Sequence, residues 1–244
     1  MIERERQDRV EVIRLAHGKV NALDLELLGA LEESLASCRD AGAVVLTGQG
    51  RAFSAGVDLE RILDGDRSYV ESFLVALDRL LRRLLVFPRP VVAALNGHAL
   101  AGGWILACAA DYRLAVTGPA TVGVTELAVG IPFPRSALET FRQATPSHLT
   151  GRLTTLAARV PVAEALERGM LDELVSPDEL MPRALALAAS LAPLPAEALT
   201  TTKTQLRTVH LGPEGDGLAD IVRQWDSPES RRRIRDYMDS LARR

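Results

Sequence analysis

The chain has 244 residues, is 47% hydrophobic and 25% charged, and carries a formal net charge of −3. That length buries a core without disulfides or metal. The charge argues against a polyanion as main partner, because phosphate binding draws on surplus Lys and Arg; nucleic acid is not expected. The longest apolar run, 99–110, falls short of the roughly 20 residues of a membrane-spanning helix. The opening MIERERQDRV lacks the apolar stretch of a secretory signal. Cys38 and Cys108 sit far apart, and His17, His98, His148 and His210 lack metal-ligand spacing. The expectation is a cytoplasmic protein with reduced thiols, no metal and no membrane partner.

In chain order, Val10 to Leu15 reads as an opening strand. Leu23, Leu27, Leu28, Leu31 and Leu35 recur at helical spacing, which predicts an amphipathic helix over 22–40. Ala43 to Thr47 is a short apolar run ending at Gly48, as a buried strand would. A loop over 48–58 follows. Val70, Phe73, Leu74, Leu77, Leu81, Leu84 and Leu85 mark a second helix, ended by Pro88 and Pro90. Val91 to Leu95 reads as a buried strand, with a turn at Asn96-Gly97. Ala101 to Ala110 is apolar on all sides, which predicts a helix inside the core. Tyr112 to Val116 reads as a strand, and Thr121 to Val124 as a weaker one. The alternation predicts an α/β fold with a largely parallel sheet.

After about 135 the pattern turns helical. Ser176-Pro177-Asp178-Glu179 forms a capping box with Pro at the first helical position. Pro193 and Pro195 separate two helices. Ser227-Pro228 starts a last one, with Ile234, Met238 and Leu241 on one face. The predicted organisation is a core over 1–190 and a helical region over 191–244.

Two loops carry the candidate chemistry. Phe53-Ser54-Ala55-Gly56-Val57-Asp58-Leu59 follows a predicted strand. Asn96-Gly97-His98-Ala99-Leu100-Ala101-Gly102-Gly103 joins a strand to the buried helix. Small residues there let a ligand approach the backbone, and N–H groups at a helix start point outward. Two such groups aimed at one point make an oxyanion hole. Each loop alone is explained as well by glycines closing tight turns and Asp58 capping a helix.

Together, FSAGVDL, NGHALAGG and the ADYRLA that follows resemble the crotonase family, also called the enoyl-CoA hydratase/isomerase superfamily. Lys19-Val20-Asn21-Ala22-Leu23 is similar to the family's "NAL" segment. Residues 163–175 (AEALERGMLDELV) resemble its "A-x-E-A-x-x-x-G-L-V-D" segment. The resemblance implies a crotonase-like spiral of ββα turns that encloses an acyl-CoA thioester. It also implies a homotrimer or hexamer with subunit contacts through the C-terminal helices, and no cofactor, coenzyme A being part of the substrate. By position, the oxyanion-hole donors are the N–H groups of Val57 and Gly102. Ser54, Ala55, Gly56 and Asp58, with Ala22 and Thr125, belong to the substrate path.

Family hydratases use two glutamates. The first position here is Ile105, which can neither take a proton nor orient a water. The second matches Glu126, whose apolar neighbours raise a carboxyl pKa toward a useful value for a base. One carboxylate suits moving a double bond better than adding water across it. "AGG-x-aliphatic", a lone later Glu and the Pro132-Phe133 that follows resemble the Δ3-Δ2-enoyl-CoA isomerases. Thr125 and Pro132-Phe133-Pro134-Arg135-Ser136 depart from the hydratase pattern, and Trp104 and Phe133 are bulky enough to narrow an acyl tunnel or to be plain core aromatics. A serine-hydrolase reading of Ser54 lacks both G-x-S-x-G and a tied histidine. The Arg231, Arg232, Arg233 and Arg235 cluster reads as a solvated helix face, with contact to CoA phosphates as the sharper alternative. His98 reads as a turn residue. The rival functions are a hydratase-like or other thioester-enolate enzyme with a degenerate site, and a non-catalytic acyl-CoA- or RNA-binding relative.

Overall fold

The computed structural model describes residues 1–242. The chain opens with strands β1 (Ile2–Gln7) and β2 (Val10–Leu15), helix α1 (Leu25–Ser37), and strands β3 (Ala43–Gly48) and β4 (Ala52–Ser54). Helices α2 (Leu59–Asp64) and α3 (Arg67–Leu85) lead to β5 (Val91–Leu95), β6 (His98–Leu100), α4 (Gly102–Cys108), β7 (Tyr112–Val116) and β8 (Thr121–Gly123). Then come α5 (Arg135–Ala144), α6 (Ser147–Thr155), β9 (Val160–Pro161), α7 (Val162–Glu167) and β10 (Glu173–Val175). Four helices finish the chain: α8 (Leu180–Leu191), α9 (Ala196–Arg207), α10 (Leu218–Trp225) and α11 (Pro228–Ala242).

The strands form two sheets, one of six in the order β1-β2-β3-β5-β7-β10 and one of four in the order β4-β6-β8-β9. Pairing is parallel except at β1–β2 and β8–β9. The predicted parallel α/β core is thus observed. Both β3 and β5 are buried along their whole length, as expected of parallel strands covered on two sides. On one side Val12, Val45, Val92, Ala94 and Leu114 pack against Leu180, Ala184 and Ala188 of α8. On the other, Ile13, Leu15, Leu46, Ala93 and Leu95 join the cores of α1 and α3. Asp24, Asp58 and Asp66 cap α1, α2 and α3 by accepting from the N–H groups of Leu27, Arg61 and Tyr69. The capping box at Ser176 is present, with Pro177 as the first helical residue.

The sequence reading missed β1. Its IERERQ is exposed apart from a half-buried Ile2, so no apolar alternation marks it; it pairs antiparallel with β2 as an edge strand. It also missed α2 and α10, and it left β4 and β6 inside the two loops 48–58 and 96–103. Residues 191–242 form no separate core. Leu211, Leu218, Val222, Trp225 and Ile234 all join the main cluster, and the Trp225 ring lies 6.2 Å from that of Phe73 on α3. Buried Lys203 of α9 donates to the carbonyls of Phe87 (3.0 Å) and Arg89 (2.9 Å) and pairs with Asp111 at 2.6 Å. Arg207 pairs with the other Asp111 oxygen at 3.0 Å. Among the described residues no single helix is long and apolar enough to cross a membrane.

Candidate active site

The two motif loops meet. A Cβ built on Gly56 would lie 2.7 Å from the Ala101 Cβ, 2.7 Å from the Leu100 oxygen and 3.2 Å from the Gly102 nitrogen. A Cβ on Gly103 would lie 2.4 Å from the Ser54 oxygen, so α4 rests directly on β4 only because that residue is glycine. One on Gly102 would lie 3.8 Å from the Val57 nitrogen, which places the two predicted donors side by side.

The hydrogen bonds of the first loop single out one amide. Ala55 N–H donates to Val20 O (2.9 Å), Gly56 N–H to Ser54 Oγ (3.2 Å) and Asp58 N–H to Leu23 O (2.9 Å). Between them the Val57 N–H finds no acceptor among the described residues. On the second loop Ala101 N–H donates to Gly123 O at 2.8 Å, and its carbonyl accepts from Ile105 at 3.0 Å. Gly102 then opens α4, where helix geometry leaves its N–H without an intrahelical partner, and Ala101 has no side chain to cap it. Ala101 itself stands at φ 48°, ψ −130°. For a residue with a Cβ such backbone strain costs about 1–3 kcal/mol and persists only where the surroundings hold it.

Glu126 begins a single 3₁₀ turn, Glu126–Val129, which follows β8 and ends at left-handed Gly130 (φ 72°). Its carboxyl is buried, and among the described residues its Oε2 has no hydrogen-bond partner. Burial pushes its pKa up to about 7, while the backbone N–H groups of Glu126 and Thr125 pull weakly the other way. A buried carboxyl near neutrality with one oxygen unpartnered is poised to exchange a proton.

The chain's own C-terminal helices hold this turn. Trp225 Nε1 donates to Pro132 O at 2.8 Å, and Ser230 Oγ donates to Gly130 O at 3.1 Å. Arg231 grips Asp226 and the carbonyls of Leu63 (2.9 Å) and Gly65 (2.8 Å), clasping α11 to the end of α2. Arg231 is therefore no part of a solvated face, which corrects that expectation for this residue; its guanidinium is spent on carbonyls that α2 leaves open. Arg233 pairs with Glu229, and Arg232 and Arg235 are exposed.

The remaining predicted residues divide by role. The Ser54 side chain is fully buried and donates to Asn21 O at 2.7 Å, so it braces the loop. The Asp58 carboxylate caps α2. Ala55 is exposed, Ala22 and Thr125 are half-buried, and Gly56 is buried. Ile105 and Trp104 lie fully within the core, and Phe133 packs against it. His98 bridges strands, its Nδ1 accepting from Thr121 N–H at 3.1 Å. Missed from sequence was Asn21, a buried residue at φ 51°. Its Nδ2 donates to the carbonyls of Gln49 (3.1 Å), Ala52 (2.9 Å) and Phe53 (3.2 Å), fastening the first loop to the entry of α1. An Asn before a helix is the usual bearer of positive φ, and that was the available signal.

Comparison with known proteins bears on this arrangement. The family model described as enoyl-CoA hydratase/isomerase matches residues 5–218. The chain is 28% identical over 212 residues to rat mitochondrial enoyl-CoA delta isomerase 1, covering 85% of this chain and 73% of the rat protein. It is 36% identical over 209 residues to a putative enoyl-CoA hydratase of Thermus thermophilus, covering 82% of this chain and 77% of that protein. The crystal structure of human mitochondrial delta3-delta2-enoyl-CoA isomerase superposes with a TM-score of 0.92 at 26% identity, over 99% of this chain and 98% of that one. An enoyl-CoA hydratase from Mycobacterium marinum gives 0.83 at 30% identity, over 92% and 99%. With both motif loops joined, a buried glutamate beyond them and a family match along most of its length, the chain belongs to the enoyl-CoA hydratase/isomerase (crotonase) family.

Proposed function

We propose that this chain is an isomerase that converts 3-enoyl-CoA to trans-2-enoyl-CoA with Glu126 as its only acid–base group. The observation that carries the reading is the buried carboxyl with an unpartnered oxygen and a pKa near 7, combined with buried Ile105 where a hydratase would hold its other glutamate. Ionised Glu126 removes a proton from C2. The electron pair spreads through the thioester carbonyl and the neighbouring double bond as a dienolate. The Val57 and Gly102 N–H groups donate to the oxygen that gains the negative charge, a duty worth about 10²–10³ in rate per donor. The Glu126 carboxyl returns the same proton to C4, and the double bond comes to rest between C2 and C3. The cycle balances without a cofactor. The backbone over 54–58, with Ala22 and Thr125, flanks the thioester.

The test supplies 3-enoyl-CoA and 2-enoyl-CoA separately and follows both products. Isomerisation is expected to exceed hydration by about 10²-fold or more, the contribution of one positioned acid–base group. Vigorous hydration of 2-enoyl-CoA sinks this reading in favour of the hydratase one, which the Thermus relative's name supports.

We further propose that the protein is cytoplasmic and assembles as a trimer or a pair of trimers. Leu206 of α9 and the following Val209 are 71% and 70% exposed, large apolar surface that a second copy would cover. Light scattering after gel filtration is expected to give three or six times the chain mass; a monomer overturns the assembly.

A further inference from the structure

We propose that Ala101 is a strained spacer, its methyl group wedged against Gly56 so as to set the separation of the Val57 and Gly102 amides. This rests on the reading of those amides as the oxyanion hole. The two residues in contact each immediately precede one donor: Gly56 precedes Val57, and Ala101 precedes Gly102. A Cβ on Gly56 would sit only 2.7 Å from the Ala101 methyl, so no other atom can enter between the loops there. Ala101 occupies φ 48°, ψ −130°, a conformation glycine reaches freely and alanine does not. Its N–H is tied to Gly123 O and its carbonyl to Ile105 N–H, at 2.8 and 3.0 Å, so the strain has no local release. Gly123 lies three residues before Glu126 on the same strand exit, so the pinned residue also couples the donor loop to the segment bearing the base. A turn that only had to reverse the chain would be better served by glycine at position 101. The methyl is what alanine adds, and it points at the partner loop. Ala101 is thus a positioning residue, and stability and rate respond to its loss with opposite signs.

The experiment begins with wild-type protein and hexanoyl-CoA, a saturated thioester, in infrared difference spectroscopy. Two aligned donors lower the carbonyl stretching frequency. If wild type shows no lowering, the amides grip no thioester, and the oxyanion reading and the spacer fall together. Given the lowering, Ala101→Gly is expected to shrink it and to cut kcat on 3-hexenoyl-CoA about tenfold, a fraction of the 10²–10³ for losing a donor outright. KM stays within about twofold, and Tm rises by about 2–4 °C as strain is relieved. Ala101→Ser keeps the Cβ and restores most of the rate and of the carbonyl shift. An Ala101→Gly protein with unchanged shift and kcat overturns the spacer alone. So does one in which kcat and Tm fall together, or an Ala101→Ser protein as impaired as Ala101→Gly.

Discussion

Glu126→Gln is expected to lower isomerisation about 10³-fold, within the 10²–10⁴ that a positioned acid–base group supplies, and at the same time to make the folded protein more stable above neutral pH. Both effects follow from one cause. Burial holds the carboxyl at about 7, against an ordinary value of 4.5. Between those two pH values the folded state keeps a proton that the unfolded state has released. Raising the pH through that window therefore costs the folded state stability, until both states are ionised above about 7. The gap corresponds to roughly 3 kcal/mol. Glutamine carries no charge at any pH and escapes the cost. The stability of Glu126→Gln minus that of wild type should thus climb by about 3 kcal/mol from pH 4.5 to pH 8, which denaturant melts at several pH values would read. In the same window wild-type activity should rise with pH as the base ionises, half-complete near 7. A stability difference flat with pH, or a glutamine variant within tenfold of wild-type rate, would refute this account of the carboxyl.

The second large effect is one of stability. Lys203→Met is expected to cost about 3 kcal/mol and to lower Tm by on the order of 10 °C. The Lys203 ammonium is buried and bonded to two carbonyls and the Asp111 carboxylate. Desolvation lowers its pKa, with the Asp111 charge opposing that. Removing the ammonium leaves two carbonyls without a donor and leaves Arg207 as the remaining cation on Asp111. The site lies where α3 ends and β5 begins, so the loss should loosen the docking of α9 on the core. Because Lys203 touches none of the residues assigned to the reaction, kcat per folded molecule should stay near that of wild type. Thermal melts alongside active-site-normalised rates would decide. A Tm within 2 °C of wild type would mean the pair is solvated in solution.

Much of this protein is legible in its sequence because it follows from short-range spacing. The runs that became β3 and β5 are continuous and apolar because both faces are covered. The all-apolar stretch predicted over 101–110 became α4, every residue of which is buried. The capping box at Ser176 announces itself within four residues. The edge strand β1 was illegible for the converse reason. Exposed on both faces, it has no apolar pattern to display, and only its partner β2 specifies it.

The site divides along the same line. The residue types available are written in the chain: glycines at 56, 102 and 103, a lone glutamate at 126 and an isoleucine at 105. Tertiary structure alone decided that Gly56 and Ala101 touch across forty-five positions of chain, and that of the loop amides over 55–58 the Val57 N–H is the one left over. It also decided that α10 and α11, nearly a hundred residues downstream, hold the turn bearing Glu126. The reason is physical: hydrogen-bond saturation, desolvation of a carboxyl and close approach of two backbones are sums over neighbours in space. Periodicity and motif spacing see only neighbours in the chain.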